Sequence, residues 1–269
     1  MVSLSLECPE TQSELLSAEL WENGATGIQE EDLPGGRVRL RAWFDSDDNL
    51  TGRFAAYLPL LRLEDNVDWE ELTRQAWQPV EVGCRFYLAP EWDESETPLG
   101  RVRLTVHPGM ALGTGDHPAT RLALTVMEQQ LRLGEWILDV GTGTGILLAG
   151  AYLLGATGAG CDIDFDSART ARHNLIFDAH PACVFAGSLR AVARRSADVI
   201  VANINAATHE SLAEEYARVA RRLVILTGFP ERHEAGVEQA LSEQGWRPVD
   251  RETNREWVCL TLARATDRP

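Results

Sequence analysis

The segment Asp139-Val140-Gly141-Thr142-Gly143-Thr144-Gly145 sets three glycines at alternate positions, directly after an apolar run and directly before another, Ile146-Leu147-Leu148. Glycines there let the backbone turn sharply and let a ligand approach with no Cβ in the way, while a following helix offers free N–H groups. The spacing departs from the dinucleotide fingerprint GxGxxG, because the third glycine comes one residue early. Twenty-one residues after Gly141 stands Asp162, closing the next strand-like run, where a carboxylate can accept both hydroxyls of a ribose.

An acid, alternating glycines and a second acid at that distance form the signature of S-adenosylmethionine (SAM) binding in class I methyltransferases. An ordinary glycine-rich turn and a nicotinamide site are the other readings of the same residues. On this reading Asp139, Gly141, Gly143, Gly145 and Asp162 are cofactor-binding. Upstream lies a glycine-dense stretch, His107 to Thr120, with Gly113, Gly115, Asp116, His117 and Pro118. Its lack of bulky side chains suits a lid over a bound cofactor, Pro118 suits a first helical position, and Thr120 can aim its hydroxyl at a ligand. Gly113, Gly115, His117 and Thr120 are therefore counted on the cofactor side, although packing at a helix start is the simpler account of His117 alone. Downstream, Asn203 ends the run Ala197-Asp-Val-Ile-Val-Ala. An amide carbonyl there could accept an amine N–H and turn the nitrogen lone pair toward an electrophilic methyl, unless Asn203 is only a turn residue. Asn203 and Thr120 are the candidate catalytic pair.

Absences narrow the chemistry. GxSxG, HExxH and GxxxxGK[ST] are missing, and all 25 basic residues are arginine, so Schiff-base and P-loop lysines are excluded. The five cysteines form no CxxC pair, which argues against a zinc site and a disulfide framework; no metal is expected. No apolar run is long enough to span a membrane and the N-terminus lacks a signal-peptide pattern, so the expected location is cytoplasmic, with no membrane partner. Of the net charge of -16, residues 1–100 carry -14. Such a surface repels phosphate backbones and attracts basic proteins, unless it is only a solvated acidic face; direct nucleic-acid binding is not expected.

These residues need elements to hold them. From Pro118 onward, near-continuous apolar strands alternate with amphipathic helices, which predicts a parallel sheet covered on both faces, with its ligand at the carboxyl ends of the strands. Residues 1–63 read as strand, helix, strand, strand, helix: a capping box at Thr11 and Glu14 before a helix ended by Gly24, a Pro34-Gly35-Gly36 turn, and a second helix over 50–63. Residues 64–77 read as a charged helical connector, and two strands follow, over 85–89 and 101–106. The expected class is α/β: a Rossmann-like, seven-stranded class I methyltransferase sheet over 78–269, after a small ferredoxin-like α+β domain over 1–63.

Taken together, GMALGTGDHPATRLAL, ILDVGTGTGILLAGAYLLGA, GCDID, VIVANIN and the C-terminal EWV resemble the PrmA methyltransferases, which modify the large-subunit ribosomal protein L-eleven. The resemblance runs through nearly the whole chain. It implies a two-domain enzyme whose N-terminal domain holds that basic protein and whose C-terminal domain methylates lysine ε-amines and the N-terminal α-amine with SAM; a monomer is expected. By matching position, Thr120, Gly141, Asp162 and Asn203 would contact SAM. Leu112, Asp116, Asn205 and Phe229-Pro230 depart from the family pattern, on what the resemblance makes the acceptor side. Other acceptors, protein or small amine, and a SAM-binding module without turnover are the competing functions.

Overall fold

The computed structural model describes residues 2–46, 49–63, 78–107 and 117–264. The chain divides into two compact units, Met1–Ala76 and Trp77–Pro269. The connector expected over 64–77 and residues 108–116, which include Leu112, Gly113, Gly115 and Asp116, lie outside the described residues.

In the first unit, β1 (Val2–Pro9), β2 (Gly27–Leu33), β3 (Arg37–Phe44) and β4 (Leu60–Leu63) form a sheet ordered β2-β3-β1-β4. Period-two alternation puts Leu4, Leu6, Val38, Leu40 and Ala42 on one face, against Leu16 and Leu20 of α1 (Ser13–Glu22) and Leu50 and Phe54 around α2 (Leu50–Arg53). Each buried leucine contributes about 2 kcal/mol of transfer free energy. The opposite face carries Arg37, Arg39, Arg41 and Arg62 against Glu7 and Glu31. Arg39 bonds both glutamates, at 2.7 and 3.0 Å, so the acidity of this part of the chain does not lie on the open sheet face.

Two expectations for this unit are corrected. The run 50–63 is not one helix: after the four residues of α2 and a 3-10 turn at Ala55–Tyr57, the chain enters β4, with Leu61 opposite Leu4 of β1. Pro59 supplies no N–H and bars its predecessor from helical geometry, and Leu58 stands at φ 50°. The N-cap of α1 is Gln12, which makes no side-chain cap bond, and Thr11 belongs to a preceding 3-10 turn (Glu10–Gln12). Gly24 does end this stretch, at φ +88°.

The second unit holds a seven-stranded sheet ordered β10-β9-β8-β11-β12-β14-β13. Its strands are β8 (Trp136–Val140), β9 (Thr157–Asp162), β10 (Val184–Ala186), β11 (Ala197–Asn203), β12 (Ala220–Pro230), β13 (Trp246–Asn254) and β14 (Trp257–Arg264). β8 to β12 run parallel, and β14 inserts antiparallel between β12 and β13. On one face Ile137, Val201 and Ile225 pack against α3 (Pro118–Gln130), α4 (Ile146–Leu153) and α5 (Phe165–Phe177). On the other, Leu138, Ile200, Val224 and Leu260 pack against α6 (Ala206–Val219) and α7 (Glu234–Glu243). Strands buried on both faces explain the unbroken apolar runs.

A second, three-stranded sheet, β5 (Val80–Val82), β6 (Phe86–Pro90) and β7 (Val102–Val106), shares the core of α3 and α4. β5 was not foreseen, since three residues carry no period. The Glu128 carboxylate on α3 accepts the backbone N–H groups of Cys84 (2.7 Å) and Arg85 (2.9 Å) in the β5–β6 turn. At the end of β7, His107 lies between Glu91 (2.8 Å) and Asp178 (2.9 Å); burial opposes its charge, but the two carboxylates raise its pKa overall. All five cysteines are free thiols. Among the described residues no helix is long and apolar enough to cross a membrane, and no cluster of metal-ligating side chains occurs.

Candidate active site at the strand ends

Because β8, β9, β11 and β12 are parallel, their carboxyl ends share one edge of the sheet, and the glycine turn after β8, Asp162 and Asn203 gather there. The turn after β8 is built on left-handed glycines: Gly141, Gly143 and Gly145 have φ of +70°, +53° and +85°. A Cβ on Gly141 would meet Ile204 Cγ2 at 2.5 Å, so the turn lies close against the segment that follows β11.

The two aspartates have different surroundings. Asp139 is fully buried beneath the turn, where its Oδ2 accepts from Thr142 Oγ1 at 2.7 Å. Burial pushes its carboxyl up to about 7; the Thr142 bond works against the rise and the charge of Asp162 adds to it. Asp162, at the end of β9, accepts from Gly143 N–H and Asp164 N–H, each at 3.0 Å and each on a different oxygen. Each oxygen keeps a lone pair for a further donor, such as a hydroxyl. Beside it, Ile163 and Phe165 are large apolar side chains exposed at 84% and 66%, a surface suited to a flat ring. Sequence reasoning missed both, although their place just after an acid at a strand end could have found them.

On the other side of β8, Thr120 in the first turn of α3 meets Asn203 at the end of β11. Asn203 Nδ2 donates to Thr120 Oγ1 at 3.1 Å, across 83 residues of sequence. The amide's N–H₂ end is thus engaged, and its Oδ1 is the end left to accept from an incoming N–H. His117 caps α3, accepting from Ala119 N–H at 3.2 Å, and sets its ring edge-on to Trp257 at 4.4 Å. That is the packing role of a helix start. Asn203 and Asp162 stand two interstrand spacings apart, about 10 Å, with the glycine turn between them.

Behind Asn203 lies a network the sequence did not announce. Thr227, its register partner on β12, offers its carbonyl to Ile204 N–H (3.1 Å) and to Nε2 of the fully buried His209 (2.8 Å). The Tyr216 hydroxyl closes the chain on His209 Nδ1 at 3.0 Å. Gly228, at φ +95°, is a close approach: a Cβ there would fall 2.5 Å from Ile204 O and 2.8 Å from Asn203 Oδ1. Two departures from the family pattern have structural accounts here. Asn205 is the N-cap of α6, accepting from Thr208 N–H and Oγ1 at 2.9 Å, and Phe229 is buried edge-on to His209.

Residues 1–265 match the family model described as ribosomal protein L11 methyltransferase (PrmA). The chain is 31% identical to the ribosomal protein L11 methyltransferase of Myxococcus xanthus over 98% of each chain. It is 36% identical to that of Thermus thermophilus, over 73% of this chain and 78% of the relative. The crystal structure of the ribosomal protein L11 methylase of Lactobacillus delbrueckii subsp. bulgaricus superposes with a TM-score of 0.65 at 26% identity, covering 70% of this chain and 99% of that one. The fold, the composition of the strand-end site and these relatives converge, and the chain belongs to the ribosomal protein L11 methyltransferase (PrmA) family of class I protein methyltransferases.

Proposed function

We propose that this enzyme moves methyl groups from SAM to amino groups of ribosomal protein L11, on lysine ε-amines and the N-terminal α-amine. The observation that carries the reading is the Asn203–Thr120 pair, which leaves the amide oxygen of Asn203 as an acceptor at the same strand-end edge as the glycine turn and Asp162. The residues present fit SAM. Asp162 retains acceptor capacity for ribose hydroxyls, Ile163 and Phe165 offer an apolar face for the adenine, and Gly141 and Gly143 keep the turn free of side chains. Gly145 starts α4, and Asp139 supports the turn from beneath through Thr142. When bound, SAM supplies an activated methyl on a sulfonium whose leaving group is a neutral sulfide.

The protein's own work is then positioning. Asn203 Oδ1 accepts an N–H of the acceptor amine and turns its lone pair toward the methyl, while Thr120 holds the amide from the other end. A free lysine has a pKa near 10.4 and must lose its proton before it can attack. Desolvation at the strand ends lowers that value, and no dedicated base is assigned. His209 does not serve, being buried and bonded at both ring nitrogens. The N-terminal unit is the part we assign to holding the acceptor protein. We assign the enzyme to the cytoplasm as a monomer acting on free protein, without direct contact to nucleic acid.

The test is to incubate the purified enzyme with SAM and the host's ribosomal protein L11 and to read the intact mass of the acceptor. Stepwise gains of a methyl mass, lost in Asp162→Ala, support the reading. SAM binding without any mass gain rejects this acceptor and leaves another protein, a small amine or a silent binding module.

A further inference from the structure

His209 is the one histidine among the described residues with no solvent exposure, and the transfer chemistry above does not use it. Its partners settle its tautomer. The Thr227 carbonyl can only accept, so Nε2 carries the proton; Nδ1 is therefore the acceptor for the Tyr216 hydroxyl. Burial lowers its pKa to about 4, against backbone interactions with Thr227 and Ile204 that would raise it, so the ring stays neutral at ordinary pH.

The same carbonyl oxygen holds Ile204 N–H, the residue next to Asn203. Three residues connect the last core position of β11 to α6: Asn203, Ile204 and Asn205, the helix cap. His209 sits in the first turns of that helix and reaches back to the end of β12. The connection is thereby held at its far end by a helix whose start is tied to the sheet. Gly228 closes the remaining side, with no room for a Cβ between it and Ile204. The backbone at Asn203 and Ile204 is thereby tied to α6 and to the end of β12.

We propose that His209, oriented by Tyr216, is a positioning residue for methyl transfer: through the Thr227 carbonyl it clamps Ile204 and so fixes where the Asn203 amide oxygen meets the acceptor amine. The inference rests on Asn203 being the amine-facing residue. A displacement of about 1 Å at such a group can cost on the order of 100-fold in rate while leaving a separately held ligand bound. SAM affinity, carried mainly by Asp162 and the glycine turn, should therefore depend on His209 far less than the rate does.

His209→Phe keeps the ring volume beside Phe229 and removes both hydrogen bonds; His209→Gln keeps an N–H donor for Thr227. In the ¹⁵N-labelled full chain, His209→Phe should shift the side-chain amide resonances of Asn203. It should change the calorimetric Kd for SAM less than about threefold and lower kcat toward the acceptor at least about tenfold. His209→Gln should recover most of that rate, and Tyr216→Phe should fall between the two. A folded His209→Phe with unmoved Asn203 resonances, or with kcat within threefold of the parent, overturns the proposal. So does an equal loss of SAM affinity and kcat that His209→Gln does not repair, which is what a purely structural role would produce. If His209→Phe does not fold, His209→Gln and Tyr216→Phe decide by the same readouts. If the parent does not methylate ribosomal protein L11, the acceptor assignment fails by itself, and the Asn203 resonances and SAM affinity still decide the clamp.

Discussion

The two halves of the strand-end edge solve opposite problems with the same sheet. At β8 and β9 the chain concentrates acid: Asp139 below the turn and Asp162 beside it, on adjacent parallel strands. At β11 and β12 the hydrogen-bonded groups among the described residues are neutral: Thr120, Asn203, Thr227, His209 and Tyr216. A half that must hold hydroxyls benefits from a carboxylate. A half that must receive an uncharged amine benefits from having no carboxylate near, since a negative neighbour would favour the protonated, unreactive form. The contrast also separates two aspartates that look alike in sequence: one is enclosed and destabilised as an anion, the other is open and supported by backbone N–H groups.

The sharpest way to break the comparison is Asp162→Ala, which should weaken SAM binding by at least about 1,000-fold, roughly 4 kcal/mol, with little change in melting temperature; titration calorimetry reads it directly. Asp139→Asn should do the reverse and stabilise the fold. The unfolded carboxyl ionises near 3.8 and the folded one near 7, so stability is lost as pH rises through that window. The variant should therefore gain up to about 4 kcal/mol at pH 8 and almost nothing near pH 4, in denaturant melts at both values.

His209 tests the neutral half from the acid side. Its pKa is near 6.5 when unfolded and about 4 when folded, so an unfolded chain takes up a proton that the native one refuses. Stability should fall as pH drops from about 6.5 to about 4, by up to about 3 kcal/mol, and that part of the loss should be missing in His209→Gln. The smallest effect is expected for Asn203→Ala, a fall in kcat of about 100-fold, near 2.7 kcal/mol, with a loss of SAM affinity of less than about tenfold, since the resemblance also places Asn203 among the SAM contacts. Parallel losses of affinity and rate would show that the two halves are not separable.

Much of this was legible in local pattern. The turn glycines and Asp162 are short-range signals, and the apolar run ending in Asn203 coincides with β11 (Ala197–Asn203). The parallel order followed from strands with no polar face. What failed was short or distant. Leu60–Leu63 reads as the tail of an amphipathic helix until its pairing with β1 supplies a period of two, and β5 is too brief to show any period. The Asn203–Thr120 bond spans 83 residues and the His209–Thr227 bond 18, so neither partnership can be read from spacing. Residues 1–100 are acidic as a string, yet the open face of the first sheet is lined with arginine, because a one-dimensional charge count does not know which way side chains point.

Helix α3 is held at both ends by polar contacts from different parts of the second unit. Glu128 near its last turn grips the β5–β6 turn, and Thr120 in its first turn meets Asn203. Eight residues separate them, about 12 Å of helix rising 1.5 Å per residue. A hydrogen-bonded helix resists compression and bending over such a distance, so it behaves as a strut with the hairpin at one end and an amide hydrogen bond at the other. The helix thus fixes the spacing between the β5–β6 turn and the hydroxyl that meets the amide, and Glu128 and Thr120 mark the two ends of that spacing.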